Sequence, residues 1–177
     1  MRFAWDDNFL YMAVEFTDSD VVAEGTEDGE HHYAKGDVAE LFLWPEAHSW
    51  YWELYVTPNS KQSSFFFPGP GRILPSSFTN NLRMCVAAQV QGTLNNWSDR
   101  DQGWTAEMAV PVKELTRRGE AWGLDAAWRV LVGRYNYSVH LPAVELSAMP
   151  RMSRTDFHLR KEYSRLHLMP SPDAKDR

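Results

Sequence analysis

Apolar and polar residues alternate with a period of two along much of this chain, a pattern typical of strands whose successive side chains point to opposite faces. The alternation predicts strands at residues 2–5, 10–16, 38–44, 50–57, 82–90, 93–97, 104–110 and 128–137, with a closing segment at 157–169. One short helix is predicted over residues 112–116, because Pro111 precedes it and proline is tolerated in the first helical turn.

Many short strands, with turn residues between them and no regular alternation with helices, favour an all-β fold. The expected architecture is an antiparallel β-sandwich or jelly roll with one short helix. Residues 1–169 are expected to form one domain, and residues 170–177 a polar tail. Three stretches without strand signals are predicted to be loops, at residues 17–36, 60–81 and 138–156.

The predicted strand at residues 38–44 is the most informative part of the sequence. Leu41 and Leu43 share one face of this strand, which is predicted to pack into the core. Glu40, Phe42 and Trp44 share the other face. A carboxylate beside apolar rings is costly unless a donor or a cation pairs with it. The strand therefore requires a partner for Glu40, supplied either by the fold or by a ligand.

Two partners for Glu40 are open on sequence grounds. Arg129 or Arg134 of a later strand would satisfy it internally, whereas sugar hydroxyl groups would donate strong charge-assisted hydrogen bonds to it. Arg134 accordingly has two interpretations, as the partner of Glu40 or as a donor to a ligand. Asp37, at the strand entry after Gly36, is predicted chiefly to orient the preceding loop through backbone hydrogen bonds, and it is also counted among the candidate carbohydrate-binding residues.

The charge distribution narrows the classes of partner. Residues 1–60 hold 13 acidic against 2 basic residues, a local net charge of -11, which argues against nucleic acid. Residues 151–177 hold 7 basic against 4 acidic residues, a local net charge of +3, and are predicted to fold back on the acidic body.

No apolar run approaches the length of a membrane span, the N-terminus does not resemble a secretion signal, and the single Cys85 excludes an intrachain disulfide.

The sequence contains no recognisable catalytic motif, and we expect no enzymatic activity. A nucleophile elbow, a phosphate-binding glycine loop and a zinc signature are all absent. Asp37 and Glu40 would face opposite sides of one strand and so could not flank a glycosidic bond. The adjacent His31 and His32 diverge in extended chain, so we expect no metal site there. No cofactor is expected, although calcium in the acidic loop at residues 18–28 is left open.

Six stretches stand in a recognisable order: 5–11 (WDDNFLY), 36–42 (GDVAELF), 51–58 (YWELYVTP), 103–111 (GWTAEMAVP), 128–134 (WRVLVGR), and Phe157 and His158 followed by Tyr163 and Leu166. Their order and spacing resemble the family 9 carbohydrate-binding modules and their relatives among the DOMON-like sandwiches. The resemblance covers about residues 1–169, and no single stretch is specific by itself.

The resemblance implies a lectin-like sandwich that binds a mono- or oligosaccharide without catalysing a reaction. In the family, two aromatic side chains clamp a terminal sugar ring, and polar groups that include the Glu of an Asp-x-x-Glu motif bond its hydroxyls. By position, that glutamate is Glu40 and the second aromatic ring is Phe157. The first ring falls at Ala34, which cannot stack, so the adjacent Tyr33 is the expected substitute.

Two alternatives accompany this interpretation. Family members usually carry a lead-in strand that this chain lacks, which suggests an interaction module whose exposed edge pairs with another chain. Haem binding would instead require axial ligands such as His158 with Met149 or Met152. The resemblance also implies an extracellular or periplasmic location and an attached glycoside-processing enzyme, although localisation stays open without a visible signal.

Overall fold

The computed structural model describes residues 1–70, 72 and 82–170, which form ten strands and a one-turn α-helix, α1 (Val112–Leu115). In chain order the strands are β1 (Arg2–Trp5), β2 (Phe9–Thr17), β3 (Val38–Pro45), β4 (Tyr51–Val56), β5 (Gln62–Phe67), β6 (Cys85–Gln91), β7 (Gly103–Pro111), β8 (Trp128–Asn136), β9 (Glu145–Met149) and β10 (Ser164–Leu166). Short 3-10 turns lie at His32–Ala34 and Arg160–Glu162.

The strands form two antiparallel sheets. The first sheet has the order β1-β2-β7-β6, and the second has the order β10-β8-β3-β4-β5, with β9 also paired to β8. All strand pairs of both sheets are antiparallel. The predicted all-β antiparallel sandwich with a short helix is therefore confirmed.

The interior of the sandwich is built from one face of each sheet. Leu41 and Leu43 of β3 are fully buried there, in one apolar cluster with Met12 of β2 and with Trp104 and Met108 of β7. This burial follows from the alternation seen in the sequence, since every second side chain of these strands is apolar. Burying one such side chain contributes roughly 1.5–3 kcal/mol, so the interior cluster supplies the main driving force for packing the two sheets together.

The opposite face of the second sheet carries a second cluster of buried rings. Phe42 of β3, Tyr51 and Tyr55 of β4, and Phe67 of β5 all point to this side. Residues 154–163, here called the covering segment, lie over it and contribute Phe157 and Tyr163. The Tyr163 hydroxyl donates to the Phe157 carbonyl oxygen at 2.6 Å, which closes the segment on itself. The outer face of this sheet is thus partly a core.

Several predicted elements were wrong. β5 lies in the predicted loop at residues 60–81, because a run of three phenylalanines lacks alternation when both faces are buried: Phe66 packs on the interior, and Phe65 and Phe67 on the outer cluster. β9 lies in the predicted loop at residues 138–156 and is one-sided, paired only to β8. The predicted strand at 93–97 is a turn, in which Asn95 has a φ of 61° and bonds the backbone of Ala23.

The boundaries of the remaining elements are close to those predicted. Residues 157–169 form the short 3-10 turn and β10 rather than one continuous strand. The rest of the predicted 60–81 loop and residues 171–177 of the predicted tail lie outside the described residues. The division into a domain at 1–169 and a tail stays a prediction. Among the residues described, no helix is long and apolar enough to cross a membrane.

Candidate functional site

A cavity of about 460 Å³ lies on the outer face of the second sheet, beside the covering segment. Strands β3, β4, β8 and β9 form one side of it, and residues 154–158 of the covering segment form the other. Its lining consists of Glu40, Phe42, Glu53, Tyr135, Leu146, Arg154, Thr155, Asp156, Phe157 and His158. The cavity thus combines carboxylates with aromatic rings, the two kinds of group that the sequence placed on one face of β3.

Two buried glutamates lie side by side in this cavity. In the antiparallel register Glu40 of β3 is opposite Tyr55, and Glu53 is opposite Phe42, so both carboxylates project from the same face of the sheet. Glu40 is 1% exposed and Glu53 is 6% exposed. The Tyr55 hydroxyl donates a short hydrogen bond to Oε1 of Glu53. Oε1 of Glu40 and Oε2 of Glu53 have no hydrogen-bond partner among the described residues.

Burial governs the protonation of this pair. Desolvation raises the pKa of Glu53 to about 7, against the hydrogen bond from Tyr55, which lowers it. Desolvation also raises the pKa of Glu40 well above its ordinary value, and the negative charge of Glu53 raises it further. The pair therefore keeps at least one proton at neutral pH. Together the two groups present both accepting and donating oxygen atoms to whatever enters the cavity.

His158 connects the covering segment to β4. Its Nδ1 lies 2.8 Å from the Tyr51 hydroxyl, and its Nε2 lies 3.9 Å from Oε2 of Glu53. Burial lowers the pKa of His158, because desolvation disfavours the imidazolium ion. The ring is therefore a neutral polar group of the cavity and does not neutralise Glu53. The Tyr51 ring in turn stacks on Phe67, with centroids 4.8 Å apart, which fixes its direction.

Aromatic rings form the apolar wall of the cavity. Phe157 packs edge-on against Phe42, with ring centroids 6.1 Å apart, and against Tyr135, with centroids 5.9 Å apart. Gly133 of β8 makes room for this ring, since a Cβ at that position would lie 2.8 Å from the Phe157 ring carbon Cε2. A glycine in a strand often marks such a close approach. The position of Phe157 thus depends on a missing side chain in β8.

The structure brings together two of the five predicted binding residues, Glu40 and Phe157. Tyr33 is 38% exposed and packs on Tyr135, whose ring lines the cavity, with centroids 5.8 Å apart. Tyr33 therefore lies one ring away from the cavity. Asp37 and Arg134 do not line it and belong to a separate group of buried charges. The binding roles of all five residues stay predictions.

Asp37 is fully buried, and backbone groups occupy both of its carboxylate oxygens. Oδ2 accepts from the Val22 amide at 2.8 Å, and Oδ1 accepts from the Tyr137 amide at 2.7 Å. These bonds connect the loop after β2 to the end of β8. Desolvation raises the pKa of Asp37 to about 8, more than the two backbone hydrogen bonds lower it. These contacts agree with the loop-orienting role expected for Asp37.

Arg134 donates to the same loop region and not to Glu40. Its Nη2 lies 2.6 Å from Oδ2 of Asp18 and 2.9 Å from Oδ1 of Asn136, and its Nη1 donates to the Thr17 carbonyl oxygen at 3.2 Å. In the β3–β8 register Arg134 is opposite Ala39, whose side chain points to the interior. Arg134 and Glu40 therefore project from opposite faces of the sheet.

The predicted internal pairing of Glu40 with an arginine is therefore wrong. Arg134 pairs with Asp18, and the Nε of Arg129 lies 2.8 Å from Oε1 of Glu46. Both arginines are on β8. Arg134 projects from the opposite face of the sheet, whereas Arg129 is on the outer face near the start of β8, opposite Trp44 and away from Gly133, the residue opposite Glu40. Of the two partners left open by the sequence, the fold does not supply an arginine to Glu40.

The cofactor interpretations stay predictions, and the structure locates the residues they named. The described residues contain no group of three or more His, Cys, Asp or Glu side chains arranged to hold a metal ion. In the loop left open for calcium, Asp18 bonds Arg134 and Asp28 accepts from the Gln62 amide. His158 lines the cavity, but neither Met149 nor Met152 does.

Sequence reasoning missed Glu53 and His158 as residues of the site. Glu53 alternates with Tyr51 and Tyr55 in the sequence and so shares their face, which is the available signal, but its neighbour on the adjacent strand depends on the register. Adding the register Phe42–Glu53 to that pattern places the two carboxylates together. His158 follows Phe157 directly, and no periodic pattern indicates that a 3-10 turn after it folds both side chains over the sheet.

Comparison with known proteins was informative at the level of three-dimensional structure. No protein-family model and no curated protein matches the sequence. A protein from Bacteroides uniformis ATCC 8492, named as a candidate carbohydrate-binding protein, has a similar fold with a TM-score of 0.66 and 14% identity, over 91% of this chain and 72% of that one.

A family 9 carbohydrate-binding module from Caldicellulosiruptor kristjanssonii, solved in complex with cellotriose, is also similar. The TM-score is 0.50 and the identity 13%, over 82% of this chain and 60% of the module's chain. At these identities the similarity concerns the fold. The sequence-based resemblance to family 9 modules is therefore confirmed for the fold of this β-sandwich.

Proposed function

We propose that this chain binds an oligosaccharide in the cavity between the second sheet and the covering segment, and that it does so without catalysis. The observation that carries the proposal is the pair of buried carboxylates with free oxygen atoms, Oε1 of Glu40 and Oε2 of Glu53, in a ring-lined cavity. Buried polar atoms need partners, and leaving one unsatisfied costs about 1–3 kcal/mol. A ligand rich in hydroxyl groups would supply them.

The cavity suits the mixed surface of a pyranose. Sugar hydroxyls would donate to the carboxylates, and the apolar C–H face would contact the rings of Phe157 and Phe42. Tyr33, beside Tyr135, would extend this surface towards a second sugar unit. The similar family 9 module was solved with cellotriose, which supports a β-linked oligosaccharide as the first ligand to test.

The geometry supports binding more than hydrolysis. Glycoside hydrolysis requires two carboxyl groups about 5–10 Å apart on opposite sides of the scissile bond. Glu40 and Glu53 instead project from neighbouring strands of one sheet, and both adjoin the Tyr55 hydroxyl. They would approach a ligand from the same side. As a non-catalytic binder, the chain would serve to bring an attached glycoside-processing enzyme to its polysaccharide.

Titration calorimetry tests the proposal directly. We would titrate monosaccharides and oligosaccharides, beginning with cellotriose, into the wild type and into Glu40→Gln, which keeps the shape but replaces one carboxyl oxygen with an amide nitrogen that cannot accept a hydrogen bond. Leaving one partner of a buried hydrogen bond unsatisfied is expected to weaken binding by about 1–3 kcal/mol, roughly tenfold. Glu107→Gln, an exposed change on β7 of the other sheet, is the matched control and should bind like the wild type.

Saturable binding that is weakened by Glu40→Gln and unchanged by Glu107→Gln would support the proposal. Equal binding by all three proteins would place the sugar site elsewhere on the sandwich. Absence of binding across the panel, from folded protein, would contradict the proposed function.

A second candidate function is an interaction module, and the first sheet carries the observation that favours it. β1 is the edge strand of that sheet, and a groove of about 490 Å³ runs over its outer face beside Tyr11, Ala13, Ala87 and Ala109. Small apolar residues next to an edge strand suit pairing with a second copy of the chain. Sedimentation at several concentrations would detect such a dimer, and a monomer at all of them would exclude it.

A further inference from the structure

The two buried glutamates constrain the chemistry of the ligand further, if the cavity binds a saccharide as proposed. No cation of the described residues lies against either carboxylate. Arg154 at the cavity wall pairs with Asp156 at 2.9 Å, and His158 is neutral, with its Nδ1 already bonded to Tyr51. The acidic groups of this cavity therefore outnumber its free cations.

Two carboxyl oxygens of the residues that line the cavity, Oε1 of Glu40 and Oε2 of Glu53, have no hydrogen-bond partner among the described residues. A hydroxyl group can donate to one of them and accept the proton that the pair retains, but it brings no charge to offset the negative charge of the ionised carboxylate. A protonated primary amine has three donors and no acceptor, and it carries a charge that offsets the carboxylates. An ammonium group therefore complements two neighbouring carboxyl groups better than a hydroxyl group does.

We propose that the preferred ligand of this cavity is an amino sugar, bound through its protonated amine at Oε1 of Glu40 and Oε2 of Glu53. The aromatic wall formed by Phe42, Tyr135 and Phe157 contacts the sugar ring. The cavity is thereby selective for partly or fully deacetylated amino-sugar polymers over neutral glucans. Acetylation removes the charge and adds bulk, so the acetylated form binds less well.

Three trisaccharides isolate the effect of the substituent at C2, because they share a β-1,4-linked gluco-configured backbone. Cellotriose carries a hydroxyl at C2, the glucosamine trimer carries an ammonium, and the N-acetylglucosamine trimer carries an acetamide. Titration at about pH 6.5, where much of the amine is protonated, is expected to show the glucosamine trimer binding about tenfold tighter than cellotriose. The acetylated trimer is expected to bind weakest.

Proton release gives an independent signature of the same contact. The carboxyl pair holds at least one proton near neutral pH, and an ammonium group displaces it. The titratable and charged groups facing the pair are Tyr51, Tyr55, Tyr135, Tyr163, His158, Asp156 and Arg154. Burial raises the pKa of the four tyrosines and lowers the pKa of His158, so these five groups are expected to stay neutral on binding. At about pH 5.5 the amine is protonated before it binds, so the displaced carboxyl proton passes to the buffer. Calorimetry at this pH in two buffers of different ionisation heat is expected to show proton release for the glucosamine trimer and none for cellotriose.

Variants separate the specific contact from general attraction of a cation to an acidic protein. Glu40→Gln and Glu53→Gln are expected to remove most of the preference for the amine, whereas Glu107→Gln, which makes the same change in net charge, retains it. At about 0.15 M salt, charges more than about 8 Å apart are largely screened, and this distance shortens as the salt concentration rises. A preference for the amine that persists at high salt therefore supports a direct contact with the glutamates.

The outcomes distinguish this inference from the proposed function on which it rests. Cellotriose binding as tightly as the glucosamine trimer, or a preference equally strong in Glu40→Gln and Glu53→Gln, overturns the amino-sugar inference and leaves saccharide binding intact. Failure of all three trimers to bind folded wild-type protein overturns both.

Discussion

The paired glutamates are buried with few polar partners among the described residues. Glu40 and Glu53 are carboxyl groups almost fully removed from water, with only the Tyr55 hydroxyl and the distant ring of His158 as polar neighbours. Burying a carboxylate without a cation is costly, and the pair responds by retaining protons. Apolar side chains at these positions would pack without that cost. The proposed ligand-binding role would account for a carboxylate on the face of β3 that Phe42 shares.

Glu53→Gln should alter how stability depends on pH. The folded pKa of Glu53 is raised to about 7, above the ordinary value of 4.5, so its contribution is fully present below pH 4.5 and lost as pH rises through 7. Glutamine stays neutral and shows no such loss. Urea unfolding of both proteins is expected to show the variant gaining on the order of 1–3 kcal/mol relative to wild type between about pH 5 and pH 8.

One outcome of the urea experiment would contradict the raised pKa of Glu53. If wild type and Glu53→Gln give parallel stability profiles across that pH range, Glu53 ionises normally in the folded protein. The cavity would then carry a charged, hydrated carboxylate rather than a buried one, and the protonation account of the site would fail.

Gly133→Ala tests the close packing of Phe157. A Cβ at Gly133 would lie 2.8 Å from the Phe157 ring, so the ring or the covering segment must move. Overpacking of this kind costs about 1–3 kcal/mol in the free energy of unfolding. Gly69→Ala is the matched control, since nothing lies within 4 Å of a Cβ there. Equal stability of the two variants in urea unfolding would show that Phe157 does not pack on β8.

At the scale of elements, buried aspartates hold the loop after β2 against the ends of other strands. Asp37 accepts from the Val22 amide, Asp101 from the Val21 amide at 2.6 Å, and Asp20 from the Val139 amide at 2.7 Å. Such bonds satisfy backbone groups that the sheets leave unpaired. The early acidic region of the sequence is therefore partly structural, because its carboxylates serve as acceptors for loop amides.

Arg134→Met should destabilise this arrangement strongly. The methionine keeps the length of the side chain but leaves the buried carboxylate of Asp18 without its cation. Removing one partner of a buried ion pair costs about 3–5 kcal/mol, whereas an exposed pair contributes about 0–1 kcal/mol. Arg154→Met, which breaks the exposed pair with Asp156, is the control. If chemical unfolding shows similar losses of stability for Arg134→Met and Arg154→Met, the buried ion pair does not contribute more than the exposed one, contrary to this prediction.

The sequence predicts those parts of the fold whose pattern is periodic. The faces of β3 and β4 follow from alternation, and so does the position of Glu40 on the face away from the interior. β5 escaped detection because Phe65, Phe66 and Phe67 are buried on both sides, which removes the alternation. The partner of each charged residue depends on strand register, which one sequence does not specify, and so Arg134 was placed near Glu40.

At the scale of the whole molecule, the second sheet packs against other elements on both of its faces. One of its faces builds the interior with the first sheet, and the other builds a smaller ring-rich core with the covering segment. The second core is incomplete, and the remaining cavity of about 460 Å³ is where Glu40 and Glu53 lie. Strands of the second sheet form one side of this cavity, and residues 154–158 of the covering segment form the other.

The central claim is that a saccharide occupies this cavity, and a nuclear magnetic resonance titration of labelled backbone amides with cellotriose tests it most directly. Shifts are expected to concentrate in β3, β4 and residues 154–158, around Glu40, Glu53 and Phe157, while the first sheet stays unchanged. Shifts confined to β1, β2, β6 or β7, or no shifts at saturating sugar, would contradict the account.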